Sequence, residues 1–281
     1  MDQPLWRPST SEVCESNISE FLAFVEKHFG KSLLGYEALY RWSIESPEGF
    51  WSAIWDYCGI IAATRGSDVL RNPHSMPGAE FFPDARLNFA ENLLRRRDDG
   101  GALIFRGEDR IELELSWAEL HAEVSRMAQA MRAEGVVAGD RVAGYLPNLP
   151  AAVIAMLAAT SIGALWSSCS PDFGVQGVVD RFGQIEPKLL VAADGYFYNG
   201  RAIDTLGNLP GIVEMLPSIE RVIVTSYTNV GRELTSPPFV TWSKFVAGFE
   251  PGDIQFEQLP FNHPLYVMYS SGTTGPPKCI V

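Results

Sequence analysis

The chain has 281 residues, 46% hydrophobic and 20% charged, enough to bury a large core as one big domain or two smaller ones. That composition excludes a disordered or fibrous chain. The net charge of −12, from 22 Lys+Arg against 34 Asp+Glu, lacks the basic footprint of a nucleic-acid binder, and that partner is set aside.

Cys14, Cys58, Cys169 and Cys279 form no C-x-x-C and have no ligand-spaced neighbours, so neither a disulfide framework nor a zinc site is expected. Reduced thiols in the cytoplasm are the plain reading. The N-terminus MDQPLWRPST lacks the basic and apolar segments of a secretory signal. The uncharged run 151–166 (AAVIAMLAATSIGALW) falls short of the roughly 20 residues that span a bilayer. It reads as a buried helix, with no membrane span.

In chain order, residues 18–29 (ISEFLAFVEKHF) place apolar side chains at helical spacing, with Asn17 or Ser19 as cap. Residues 36–44 and 47–57 are also amphipathic, and Pro47 suits a first helical turn. The crowded aromatics here, Trp42, Phe50, Trp51, Trp55 and Tyr57, read as core or docking surface. Residues 66–86 read as loop. A short helix with a basic end is expected at 88–97.

From about residue 100 the pattern changes. Strands are expected at 102–105 and 111–115. Ser116 then opens a helix through 134, with Glu119 completing a capping box. A strand at 141–146, a turn at 147–150 and the helix 151–165 follow. Beyond lie a helix at 175–185, a strand at 188–192, a broken helix at 203–215 and a strand at 221–225. Residues 226–262 are polar and Pro-rich, with one short helix at 243–247. Short apolar strands alternating with helices predict an α/β fold, a mostly parallel sheet covered on both faces. Two regions are expected: a helical leader over 1–98 and an α/β region over 99–281.

The last predicted strand, 265–269 (LYVMY), delivers Ser270, Ser271, Gly272, Thr273, Thr274, Gly275, Pro276, Pro277 and Lys278. The glycines let main-chain N–H groups converge on an anion. Four hydroxyls add donors and Lys278 adds positive charge. A plain Gly/Ser/Thr turn with a solvated lysine is the competing reading. The Walker A loop is excluded, because Pro277 stands where its second glycine belongs and Cys279 where its Mg²⁺-binding hydroxyl belongs.

The order S-S-G-T-T-G-x-P-K after an aromatic-ended strand resembles the signature of the adenylate-forming superfamily. Within it, the chain is similar to the acetoacetyl-CoA synthetase family. PLWRPS, YEALYRWSIESPEGFWSAIWDY, FFPDARLNFAENLL, GDRVAGYLPNLPAAVIAMLAATSIGALWSSCSPDFG and HPLYVMYSSGTTGPPKCIV carry that likeness through most of the chain. The leader also resembles that of acetyl- and propionyl-CoA synthetases. The compact WSSCSPDFG, Trp166 to Gly174, points to the acetoacetyl branch. Cys169 within it reads as an ordinary buried thiol, since that family uses no thiol nucleophile.

The resemblance implies an ATP-, Mg²⁺- and CoA-using acid–thiol ligase. A carboxylate attacks the α-phosphorus of Mg·ATP, giving an acyl-adenylate and pyrophosphate. The CoA thiol then attacks the acyl carbon and expels AMP. It further implies that Ser270, Ser271, Gly272, Thr273, Thr274 and Gly275 hold the ATP phosphates, with Lys278 an electrostatic partner or a loop anchor. In GYFYNGRAID it implies Gly200 and Arg201 as CoA contacts, against the alternative of an exposed loop arginine. Small molecules are thus the implied partners; oligomeric state is left open. Other short acids, or a non-catalytic nucleotide-binding or interaction module, are the alternatives. Among the histidines, His121 reads as surface and His263 as a structural hydrogen-bonder.

Members of that family run on well past the equivalent of Val281. The resemblance therefore implies that the 281 residues lack the adenine contacts, the Mg²⁺-associated glutamate and the catalytic lysine, and do not ligate alone. A last strand without neighbours is also expected, with an exposed sheet edge.

Overall fold

The computed structural model describes residues 4–108, 111–229, 236–270 and 275–281. Two compact units are present: residues 1–86 with 260–262, and residues 87–259 with 263–281. No helix among the described residues is long and apolar enough to cross a membrane.

The first unit is built on three helices, Asn17–Phe29, Gly35–Glu45 and Pro47–Tyr57. Ser16, rather than Asn17 or Ser19, caps the first by accepting from the Ser19 amide. Pro47 sits in the first turn of the third, as its missing N–H dictates. Phe21, Val25, Leu39, Trp42 and Ala53 form the core of this unit. Phe50 meets Phe21 and Trp42 edge-on, so the aromatic crowding is packing. Residues 66–86 are mostly loop, with a two-stranded pairing of Leu70–Arg71 and Glu80–Phe81 that the sequence reading missed.

The second unit carries a five-stranded parallel sheet. Its order is Phe239–Thr241, Arg221–Thr225, Leu189–Ala193, Arg141–Tyr145 and Leu165–Cys169. The central strand is wholly buried. Leu189, Val191 and Ala193 enter one core, while Leu190 and Ala192 enter the other. Val142 and Ala143 divide the same way. This alternation is what a sheet covered on both faces requires. Helices Trp117–Ala133 and Pro150–Ile162 contribute to one core, and Val175–Phe182 with Leu209–Met215 to the other. Ser116 and Glu119 form the expected capping box.

Three expectations need correction. The helix expected over 151–165 stops at Ile162, because Gly163 takes a left-handed φ of 86° that a side chain would resist. Leu165–Cys169 is then a strand, which its Ser and Cys content concealed. The helix expected over 88–97 is only Phe89–Leu93. Arg96 instead pairs with Asp98, and Arg97 with Asp253. Finally, residues 195–204 form a hairpin, Gly195–Tyr198 with Arg201–Asp204. The broken helix therefore begins later, as a 3-10 turn at Leu206–Asn208 followed by Leu209–Met215.

Asn88 organises one side of this unit. It is 1% exposed. Its Oδ1 caps the following helix at the Glu91 amide, and its amide nitrogen lies 3.1, 3.2 and 2.9 Å from the carbonyls of Thr160, Ser161 and Glu257. Two N–H bonds thus serve three carbonyls. Asn88→Ala should cost about 1–3 kcal/mol, the penalty of leaving buried acceptors unpaired. Arg97→Ala, which breaks an exposed pair, should cost under about 1 kcal/mol. Denaturant melts compare the two; equal shifts would remove the organising role from Asn88.

Candidate functional site

The sheet decides where the strands flanking the glycine-rich sequence sit. Leu265–Val267 runs parallel to Leu165–Cys169, with a bridge between Trp166 and Tyr266. The Trp166 amide donates to the Leu265 carbonyl (3.0 Å) and the Val267 amide to the Trp166 carbonyl (2.9 Å). Ser167 Oγ donates to the Val267 carbonyl at 2.7 Å. Because the pairing is parallel, the next residues leave past the C-terminal edge of the sheet. That edge is where open α/β sheets take their ligands.

The strand expected at 265–269 is registered later, as Met268–Ser270. It has neighbours after all, pairing antiparallel with Lys278–Ile280. Ser270 faces Lys278 directly, and Tyr269 faces Cys279. Lys278 therefore lies on the return strand rather than within the loop, and its side chain is exposed. No carboxylate is within ion-pair distance of it among the described residues. Gly275 has a φ of 85°. Ser271, Gly272, Thr273 and Thr274 lie outside the described residues.

The hairpin is braced on both arms. On the entry arm, the Tyr269 hydroxyl is 3.1 Å from Ser167 Oγ. The Arg181 guanidinium lies 6.0 Å from the Tyr269 ring centre, and the Phe182 ring is 6.4 Å from it. On the exit arm, Gln184 Nε2 donates to the Pro277 carbonyl at 2.8 Å, and the Cys279 thiol is 3.5 Å from Gln184 Oε1. No motif in the sequence marks Ser167, Arg181 or Gln184.

Beside the hairpin lies a cleft of about 570 Å³, lined by Trp166, Ser168, Phe173, Arg181, Tyr266 and Met268 among others. Arg181 stacks on Phe173 at 3.8 Å and donates to the Gly177 carbonyl. Cys169 also lines the cleft and is buried. Burial pushes its thiol up to about 12 against an ordinary 9.0, outweighing the lowering effect of Arg181. The same cause raises the Tyr269 hydroxyl to about 12. Neither is a nucleophile or base near neutral pH.

Gly200 and Arg201 occupy the hairpin that follows the central strand, so they too emerge at the C-terminal edge of the sheet. Asn199 and Gly200 have φ of 49° and 75°, the left-handed pair that a two-residue turn needs. Their amides donate to the two carboxylate oxygens of Glu108, both at 2.9 Å. Arg201 is exposed. Asp194, 6% exposed, fixes the neighbouring turn by accepting from the amides of Tyr227 (2.8 Å), Thr228 (2.9 Å) and Asn229 (2.8 Å). The Tyr227 ring then packs on Phe105 and Phe197. From the strand order, about three strand spacings, or roughly 14 Å, separate the bases of the two hairpins. Both hairpins stand on one edge of the sheet.

His263 bonds the Gly163 carbonyl at 2.8 Å, the structural role expected of it. His121 is buried, not on the surface. Desolvation first, and then the charge of Arg97, lower its pKa.

A family model described as AMP-binding enzyme matches residues 90–281. The chain belongs to the AMP-binding enzyme family. A second model, acetyl-coenzyme A synthetase N-terminus, matches residues 36–93. The acetoacetyl-coenzyme A synthetase of Rhizobium meliloti is 48% identical over 100% of this chain and 43% of its own length. The acetoacetyl-CoA synthetase of Xenopus tropicalis is 41% identical over 99% of this chain and 42% of its own. A solved structure, acetoacetyl-CoA synthetase from Streptomyces lividans, superposes with a TM-score of 0.92 at 39% identity, covering 99% of this chain and 43% of that one. The chain thus spans well under half the length of these relatives. The α/β fold read from the sequence is that of the N-terminal part of the solved AMP-binding family member.

The thiols give a direct check on this geometry. At pH 8 a maleimide should label the exposed Cys14 and Cys58 and leave Cys169 unmodified until the chain unfolds. The raised thiol pKa also sets a pH dependence. The folded thiol stays neutral up to about 12, while the unfolded one ionises near 9.0. Its contribution to stability is therefore full below pH 9 and is lost as pH rises towards 12. Prompt labelling of Cys169 in the folded chain would contradict both statements.

Proposed function

We propose that this chain is the phosphate-holding part of an ATP-dependent acid–thiol ligase that converts acetoacetate to acetoacetyl-CoA through an acyl-adenylate. A carboxylate cannot acylate a thiol directly, because its leaving group would be oxide. Attack of a carboxylate oxygen on the α-phosphorus breaks the bond to pyrophosphate and leaves AMP on the acyl group. The CoA sulfur then forms the new bond to the acyl carbon, and AMP departs.

The observation carrying this reading is the hairpin in which Ser270 faces Lys278 at the C-terminal edge of the parallel sheet. Its two arms flank a sequence of small and hydroxyl-bearing residues, and among the described residues no carboxylate pairs with Lys278. Such a loop fits a polyphosphate, with backbone amides and hydroxyls as donors and the lysine as counter-charge. In this proposal Ser270, Ser271, Gly272, Thr273, Thr274 and Gly275 hold the ATP phosphates, and Mg²⁺ enters with ATP. Lys278, exposed on the return strand, acts electrostatically rather than as an anchor. Gly200 and Arg201 meet CoA, the arginine suiting its phosphates. The helical region 1–98 and the adenylation region 99–281 divide the chain, and the enzyme works in the cytoplasm.

Calorimetric titration tests the phosphate assignment. The double variant Thr274→Ala/Lys278→Ala should bind Mg·ATP about ten-fold or more weaker than the parent, the loss of two charge-assisted or hydroxyl contacts. Equal affinity would sink it. For the CoA assignment, Arg201→Ala should weaken CoA about ten-fold, and an unaltered affinity removes that role. Substrate choice is read by product analysis with acetoacetate, acetate, propionate and 3-hydroxybutyrate. The test polypeptide joins this chain to the remainder of the Rhizobium meliloti relative. Preference for acetoacetate is expected.

A further inference from the structure

We propose that Gln184 is a positioning residue for the phosphate loop. This rests on the reading of 270–278 as that loop. Gln184 belongs to no nucleotide motif and follows the helix Val175–Phe182, nearly a hundred positions before the loop. Its side chain nevertheless contacts the exit arm twice. Nε2 donates to the Pro277 carbonyl at 2.8 Å, and Oε1 stands 3.5 Å from the Cys279 thiol. Pro277 and Cys279 flank Lys278, so the two contacts bracket the one charged residue of the hairpin.

The need for such a clasp follows from the hairpin's construction. Among the described residues the exit arm, Lys278–Ile280, has a single strand partner, Met268–Ser270. The entry arm is held by the sheet through Trp166 and Ser167. A two-stranded hairpin is marginal without further support. Gln184 supplies that support from a fixed point. Its Nε2 also lies 2.7 Å from the Asp180 carbonyl, which ties the side chain back to its own helix. Val178 and Phe182 of that helix are fully buried. The exit arm is thereby referred to the rigid sheet-covering layer, and Lys278 is held opposite Ser270. Small displacements of a charged group lower its worth to a bound phosphate steeply, so a residue that only holds the arm still affects affinity.

Gln184→Glu is the sharpest variant. It keeps shape and the acceptor for the Cys279 thiol, and it loses the donor to the carbonyls of Pro277 and Asp180. Gln184→Ala removes both contacts to the exit arm and the tie to Asp180. Two readouts on the 281-residue chain separate position from fold. In hydrogen exchange, the 275–281 segment should exchange about two- to ten-fold faster in both variants, the range of one ordinary hydrogen bond. The segment 189–193 should keep its protection, and Gln184→Ala should melt within a few degrees of the parent. In titration with Mg·ATP and magnesium pyrophosphate, both variants should bind more weakly by a similar factor, and at Lys278→Ala the further effect of Gln184→Glu should vanish. Unchanged exchange at 275–281, or faster exchange with unaltered affinity, overturns the positioning role and leaves the phosphate-loop reading standing. If the parent binds neither ligand while ordered at 275–281, the phosphate-loop reading falls and takes this inference with it.

Discussion

Two backbone hydrogen bonds between Trp166 and the Leu265–Val267 segment hold the candidate site in place. They join residues about a hundred positions apart and set a parallel register. The register alone sends Met268–Ser270 past the C-terminal edge of the sheet. Shifted by one residue, it would turn Tyr269 away from Ser167 and Phe182. The loop's chemistry is local, but its address is given by this pairing.

The pairing in turn needs Leu165–Cys169 to be a strand. That depends on Gly163 ending the preceding helix, and on Asn88 holding the carbonyls of Thr160 and Ser161 at the same place. His263 closes the arrangement by bonding the Gly163 carbonyl. One helix end is thus tied from two distant parts of the chain. The second hairpin is secured by different means. Glu108 accepts from the Asn199 and Gly200 amides, and Asp194 gathers three amides of the adjoining turn. Carboxylates that accept from backbone N–H groups fix turns without a cation.

Much of this was legible early, for definite reasons. Apolar runs such as LLVAA and RVIVT betray buried strands, since only a sheet covered on both faces accepts them. Capping residues at Ser116 and Pro47 mark helix starts through local hydrogen bonding. WSSC carries no strand signal, because it lacks an apolar run; Ser167 is buried with its hydroxyl donating to the Val267 carbonyl. The 195–204 hairpin was read as loop and helix although Asn199-Gly200 is a strong turn signal. His121 was misplaced because burial on a helix depends on what packs there.

The sequence by itself determined the α/β class, the helix starts at Ser116 and Pro47, and the residue types of S-S-G-T-T-G-x-P-K. All of these are set by residues within a few positions of one another. The tertiary structure alone decided that Lys278 stands opposite Ser270, that Gln184 reaches Pro277, and that both hairpins share one edge of the sheet. The second and third depend on contacts between distant segments, and the first on a register within one hairpin; none leaves a mark in a local residue pattern.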